Sequence, residues 1–232
     1  TPPAWVDTLS GRSQTHRTMP KTAPSRREAD KARSRVQILD AAARLFAERG
    51  LESVAFGDIA RAAGISRPLI YFHFKDRDEL FLETVLRSHQ QLHARFVAAI
   101  AEESEPIAQA EAIGRAYERF FRDSRGEFVL MSCFEAAAGS RKFEGPLVEQ
   151  IRFHGHAMIE LIVSVLARGR KEGGVRRDLG DPLKSALCLY AFTHGLLQMT
   201  ASAGDHLQQQ HGVRPAELIE QGFALMRAAL RP

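Results

Sequence analysis

The sequence predicts an all-α protein in two parts: a small N-terminal three-helix unit followed by a larger helical body. Three observations carry that prediction. From residue 36 onward, apolar residues recur at helical spacing in nearly every segment. Cap residues and Gly or Pro breakers separate the segments where helices would start and stop. No stretch alternates polar and apolar as a half-buried strand would, and there is no internal repeat. With 232 residues, 44% of them apolar, the chain can fill a sizeable core, in one domain or in two smaller ones.

Residues 1–24 hold four prolines, scattered Ser and Thr, and basic residues without periodicity, which reads as disorder. The run from Met19 looks like a natural start, so residues 1–18 read as an upstream extension. Ser25-Arg26-Arg27-Glu28 fits a capping box that launches the first helix there, or after fraying to about Arg33. Its stripe is Leu39, Ala42, Ala43 and Phe46, and Gly50 stops it after Arg49. A short helix follows, about Phe56 to Ala63, burying Ile59, Ala60 and Ala63. Gly64 supplies the left-handed residue that a tight turn needs. A second short helix spans Ser66 to Phe74, with Ser66 as its cap and Pro68 in the first turn, where no N–H bond is lost. Two short helices joined by a Gly-containing turn make a helix-turn-helix.

Asp76 to Glu79 then starts a long helix reaching about Glu102. Further stripes run through Ala110, Ile113, Gly114, Tyr117, Phe120 and Phe121, over Glu127 to Ala138, and from Val148 through Met158 and Ile162 to Leu166. Gly173-Gly174 ends the last of these. Asp181-Pro182 opens a helix to about Ala203 that is apolar nearly all round, and Pro215 to Leu230 forms the last.

Charge separates the two parts. Residues 1–81 hold 14 Lys/Arg against 10 Asp/Glu, whereas residues 82–232 hold 18 of each. A basic end on a neutral body suits a polyanion, although a solvated basic tail has the same composition. The stretch Arg26 to Arg35 reads either as an arm for the minor groove or phosphates, or as such a tail. There is no run of eighteen apolar residues to span a membrane and no apolar leader segment. Cys133 and Cys188 lie in apolar helical patterns and read as reduced core residues of a cytoplasmic protein. His154 and His156 are two apart, which splays them on a helix, so no metal site is expected. No cofactor is expected either. No nucleophile–base pair, phosphate-cradling loop or paired carboxylate set is recognisable, which speaks against an enzyme.

The segment Tyr71-Phe72-His73-Phe74 poses a packing question. Successive side chains on a helix point about 100° apart, so four consecutive rings cannot share one core. Ile70 and Phe74, four apart, share the buried face. Tyr71, Phe72 and His73 then point partly or wholly outward. They read either as a satellite core under a neighbouring helix or as a recognition surface.

The motif decides between these. The stretch from about Val36 to Leu86 resembles the N-terminal domain of the TetR family of bacterial transcriptional regulators. The resemblance rests on Ile59-Ala60, Ala63-Gly64-Ile65-Ser66, Ile70-Tyr71-Phe72-His73-Phe74 and Arg77-Asp78-Glu79-Leu80. Three positions depart from that pattern: Ala55 where a hydroxyl usually opens the second helix, Pro68 where Gly is usual, and Arg77 in place of Lys. The resemblance implies a helix-turn-helix DNA-binding domain over residues 25–80 and a helical effector-binding and dimerisation domain over 81–232. It implies a ligand-responsive repressor that binds a near-palindromic, double-stranded operator as a homodimer.

The expected DNA-contacting set is Ser66, Arg67, Pro68, Leu69, Tyr71, Phe72, His73, Lys75 and Arg77. Arg67 is the candidate base reader, since Arg pairs bidentately with guanine. Phe72 suits a thymine methyl, while Tyr71, His73, Lys75 and Arg77 suit phosphates. In the body, Tyr117, Phe121, Met131, Phe134, Met158, Ile162, Tyr190 and His194 are candidates for an adaptable pocket around an apolar small-molecule effector, or for plain core. The resemblance implies that the last two helices pair with their copies in the dimer, with Gly195 and Gly222 permitting close approach.

Overall fold

The computed structural model describes residues 25–137 and 143–232; the expected disorder of residues 1–24 and the end of the Glu127–Ala138 helix lie outside them. Every regular element among the described residues is helical: α1 (Arg26–Arg49), a 3₁₀ turn (Leu51–Ser53), α2 (Phe56–Ala63), α3 (Arg67–His73), α4 (Arg77–Ala101), α5 (Pro106–Asp123), α6 (Arg125–Ala137), α7 (Pro146–Glu172), α8 (Pro182–His211) and α9 (Pro215–Leu230).

The helix ends follow local chemistry. The Ser25 hydroxyl accepts the Glu28 N–H while the Glu28 carboxylate accepts the Ser25 N–H, so α1 begins at Arg26 without fraying. Residues 26–35 are therefore helix rather than an extended arm. Asp76 and Asp181 cap α4 and α8 through their carboxylates. α8 runs to His211, beyond the expected end near Ala203, because its polar last turns cost a helix little until Gly212 adopts a left-handed conformation.

Two cores lie along α4. The first gathers α1, α2 and α3 on Leu80 to Leu86 and takes in Leu130, Phe134, Val148 and Ile151 from α6 and α7. The second packs Leu92 and Phe96 against α5, α7, α8 and α9. α4 is thus one rod that contributes to both cores. Arg87 on α4 pairs with Asp40 on α1 at 2.8 Å, tying the rod to the small unit.

One expectation about packing needs correction, and two further features of the last helices stand beside it. Cys133 and Cys188 are exposed, because each lies on the outward face of a helix that is apolar on more than one side. Gly222 serves the chain's own packing: a Cβ there would stand 2.5 Å from Leu196 Cδ2 on α8, whereas Gly195 faces open space. Leu225 and Ala229 belong to the outer face of α9, whose buried side is Ile219, Gly222, Phe223, Met226 and Leu230.

Candidate DNA-binding face and effector site

The helix-turn-helix is built as its residues dictate. Gly64 sits at φ 67°, and the Ile65 N–H returns to the Ala60 carbonyl at 3.0 Å. Ala55 offers no side-chain cap to α2, but Asp58 accepts the Ala55 N–H at 3.2 Å and restores half of the capping arrangement. The Ser66 hydroxyl makes no capping bond to α3, contrary to expectation; its carbonyl instead accepts the Leu69 N–H at 3.1 Å. Ile70 and Phe74 are buried, as their spacing requires.

The outward face of α3 carries the remaining rings. Tyr71 is 53% exposed and Phe72 is 63% exposed. The Tyr71 ring meets Phe56 of α2 edge-on at 4.9 Å, and Arg67 donates to its hydroxyl at 3.2 Å. The ammonium of Lys31, from α1, lies 5.2 Å from the centre of the Phe72 ring. Ser66, Arg67, Pro68 and Lys75 are exposed on the same end of the molecule, and Leu69 is half-buried.

Two members of the expected set are engaged inside the protein. His73 turns toward α1: its Nε2 lies 2.8 Å from Ser34 Oγ and its Nδ1 is buried without a partner. Burial, then Arg35 and Lys31, hold this imidazole below its ordinary pKa, which disfavours the protonated form that would donate most strongly to a phosphate. Arg35 donates to the His73 carbonyl at 3.3 Å, stacks over Phe74 and pairs with Glu83, which locks α1, α3 and α4 together. Arg77 donates to both the carbonyl and the carboxylate of Glu52 in the 3₁₀ turn, at 2.9 and 2.8 Å. His73 thus joins the end of α3 to α1, and Arg77 joins the start of α4 to the 3₁₀ turn. Their partners, Ser34 and Glu52, are 39 and 25 residues away in sequence, and no local signal foretells such pairings.

In the body, Tyr117, Tyr190 and His194 come together. Tyr117 Oη lies 2.8 Å from His194 Nδ1 and 3.4 Å from Tyr190 Oη, and Tyr190 donates onward to Glu135 at 3.4 Å. The Tyr117 and Tyr190 rings stack at 5.7 Å, and His194 stacks on Phe128 at 5.2 Å. Burial raises both tyrosine pKa values, that of Tyr117 most, so both stay protonated donors. Met131, Met158 and Ile162 are buried in the same core, and half-buried Phe121 packs edge-on against Phe128. Phe134 lies elsewhere: it packs on His89 and Phe143 in the core beneath the helix-turn-helix. Phe96, Phe128, Glu135 and Thr193 complete the site. They join it from three different helices, which helical periodicity cannot reveal.

The interior cavity at Tyr117, Tyr190 and Ile162 measures about 20 Å³, little more than one water. Leu189 and Met226 separate it from an outer groove of about 450 Å³ between α8 and α9.

A recognition helix with exposed rings and an exposed arginine, held on a helix-turn-helix at the end of a helical body, defines a DNA-binding protein of the helix-turn-helix class. The model of the bacterial regulatory proteins of the tetR family matches residues 38–84. The chain is 37% identical to the probable HTH-type transcriptional regulator ArpR of Pseudomonas putida over 174 residues, 71% of this chain and 78% of that protein. It therefore belongs to the TetR family of bacterial regulators, which are DNA-binding transcriptional regulators and not enzymes. The HTH-type transcriptional repressor BepR of Brucella suis biovar 1 (strain 1330) is 27% identical over 208 residues, covering 89% of this chain and 94% of the repressor. The regulator AcrR of Shigella flexneri is 52% identical over 50 residues, and there the match spans 22% of this chain and 23% of that protein.

Solved structures share the fold at lower identity. A TetR-family regulator from Agrobacterium tumefaciens superposes with a TM-score of 0.72 at 20% identity, covering 87% of this chain and 100% of that one. A regulator from Saccharomonospora viridis in complex with choline gives 0.71 at 20% identity over 87% and 99% of the two chains. The regulator FadR of Bacillus subtilis in complex with stearoyl-CoA gives 0.65 at 15% identity over 84% and 99%. No helix among the described residues is long and apolar enough to cross a membrane.

Proposed function

We propose that the protein is a ligand-responsive repressor that binds a near-palindromic operator as a homodimer in the cytoplasm and is released by a small molecule seated in the body. The observation that carries this reading is the outward face of α3. Burying Tyr71 and Phe72 against a folded neighbour would have been the stable choice for a free surface, yet both stand in solvent beside Arg67. In this reading Arg67 reads a base, Phe72 meets a thymine methyl, and Tyr71, Ser66 and Lys75 hold phosphates. Pro68 and Leu69 shape the leading turn, while His73 and Arg77 keep α3 in place.

The division is a DNA-binding unit over 25–80 and an effector and dimerisation unit over 81–232, coupled by α4. Dimer formation is supported by an apolar outer face on α8 and α9, where Leu183, Leu187, Phe192, Met199 and Leu225 are exposed. The neighbours solved in complex with choline and with stearoyl-CoA support a small-molecule effector. A drug-sized molecule needs a site of roughly 300 Å³ or more, so an effector enters the small cavity only by spreading α5, α7 and α8. That displacement passes along α4 to the recognition helices.

The test has two arms. Leu187→Arg should yield monomers in sedimentation and lose tight operator binding; a monomer that binds the operator undiminished contradicts the dimer. A compound that releases the operator must itself bind the operator complex more weakly by the same factor. Equal affinity for free and DNA-bound protein contradicts release by linkage.

A further inference from the structure

We propose that His73 is a positioning residue that works as a proton-sensitive latch: neutral, it seats α3 on α1 through Ser34, and protonated, it frees the end of α3, so that acidification weakens operator binding. This rests on the reading of α3 as the helix that meets DNA, and it adds a control on that helix.

α3 spans only seven residues, Arg67–His73. A helix this short has no stability of its own, so tertiary contacts set its orientation. His73 is its last residue, and the ring turns to α1, with Nε2 2.8 Å from Ser34 Oγ. Ser34 Oγ donates to the Lys31 carbonyl at 3.0 Å, which leaves its lone pairs for an imidazole N–H. The other ring nitrogen, Nδ1, is buried and has no hydrogen-bond partner.

That orphan makes the junction sensitive to protons. Whichever nitrogen bears the proton of the neutral ring, the imidazolium bears one on each. Its Nδ1–H is then a buried donor without an acceptor, which is costly. The charged groups around the ring add to the cost. Lys31 and Arg35 of α1 are both cations, and Glu83 of α4 is already taken by Arg35. The depressed pKa of His73, due to burial first and then to Arg35 and Lys31, agrees with this geometry. A protonated ring finds relief only by leaving the junction for solvent, and α3 then loses its hold on α1.

The sign follows from linkage. DNA needs α3 seated, so the complex takes up a proton at His73 less readily than the free protein, and the proton weakens DNA binding by the same factor. Affinity is therefore full above about pH 6.5 and falls as pH drops below it. A His73 that donated to a phosphate would act in the opposite sense: its protonated form would be favoured in the complex, and acid would tighten binding.

The test measures binding of the full-length protein to a duplex enriched from random DNA at pH 7.5, by fluorescence anisotropy at pH 7.5 and 5.5 and constant ionic strength. His73→Gln keeps an N–H donor for Ser34 but takes up no proton. His89 and His154 remain in that variant, so their titration cancels in the comparison. Relative to His73→Gln, wild-type affinity should fall about three- to tenfold between the two pH values. Ser34→Ala should weaken binding about threefold at pH 7.5, and Ser34→Thr, which keeps the hydroxyl, should restore it. The Hε1 proton resonance of His73, followed against pH in free and DNA-bound wild type, should give the lower pKa in the complex, and this holds as a test even if His73→Gln does not fold. Parallel pH profiles, affinity that rises with acid only in the wild type, or a higher His73 pKa in the complex overturns the latch and leaves α3 as the DNA-reading helix. A silent Ser34→Ala overturns seating through Ser34. A folded protein that enriches no duplex removes the reading of α3 and this inference with it.

Discussion

The molecule holds two clusters of aromatic side chains, and they are built in opposite ways. On α3, Tyr71 and Phe72 follow one another in sequence and project into solvent. In the body, Phe96, Tyr117, Phe128, Tyr190 and His194 are scattered over 98 positions and converge inside. The first cluster is exposed because adjacent residues on a helix cannot share one buried face. The second is buried because each ring lies on the inward stripe of its own helix. Consecutive rings are therefore a surface device and periodic rings an interior one. The first suits a partner that arrives from outside, and the second a small molecule that must displace packed walls to enter.

The contrast is broken most severely by truncating one ring of each kind. Phe46 is 1% exposed and meets Phe81 edge-on, so Phe46→Ala should cost about 3–5 kcal/mol of stability in urea unfolding. Phe72→Ala should leave stability within about 0.5 kcal/mol, because the side chain is largely in solvent, yet weaken operator binding. If Phe72→Ala destabilises the fold as Phe46→Ala does, the surface cluster is a packing element after all. Arg67→Ala comes next, with about 1–3 kcal/mol of operator affinity lost and sequence preference relaxed in a competition assay. Unchanged affinity and preference would place base reading elsewhere on α3.

Inside the body, a Cβ on Gly169 would stand 2.5 Å from Val175 Cγ2 and 2.7 Å from Pro106 Cβ. Gly169→Ala should therefore destabilise by about 1–3 kcal/mol in urea, since neither neighbour is a flexible chain end. A neutral result would mean that the α7 end yields more easily than its packing suggests. Tyr71→Phe removes the hydroxyl that accepts from Arg67, and operator affinity should fall by about 1 kcal/mol without loss of stability. A silent change would reduce Tyr71 to an apolar contact.

The smallest expected effect is a pH dependence. Burial depresses the His89 pKa in the folded chain, and burial followed by His93 does the same for His154, whose Nδ1 lies 3.2 Å from that of His93. The unfolded chain then binds more protons, so stability is full above about pH 6.5 and is lost as pH falls toward the folded values. Urea midpoints at pH 8 and pH 5.5 should show this decline, and His89→Gln should flatten it. Equal slopes in both proteins would remove His89 as its source.

The legible part of this molecule is local. Ser25 with Glu28, Gly64, Asp76, Gly173 and Asp181 mark helix ends because each acts on backbone groups within four residues of itself. Ile70 and Phe74 are readable as core for the same reason. What the sequence leaves hidden is long-range. The bonds of His73 to Ser34 and of Arg77 to Glu52 join residues far apart in sequence, and no local spacing announces them. The cysteines read as core because α6 and α8, which carry Cys133 and Cys188, are apolar on faces the single chain leaves uncovered. Within the candidate pocket, Tyr117, Tyr190 and His194 stand together, Phe134 does not, and Glu135 draws no notice because a lone carboxylate on a helix resembles any solvated residue.

The central claim is that the exposed face of α3 reads duplex DNA as part of a two-fold assembly. Selection of binding sites from random duplex DNA, at two salt concentrations, tests it most directly. The account predicts enrichment of a near-palindrome whose half-sites lie about one helical turn apart, with affinity falling as salt rises. A folded protein that enriches no sequence, or binds with no dependence on salt, would contradict it.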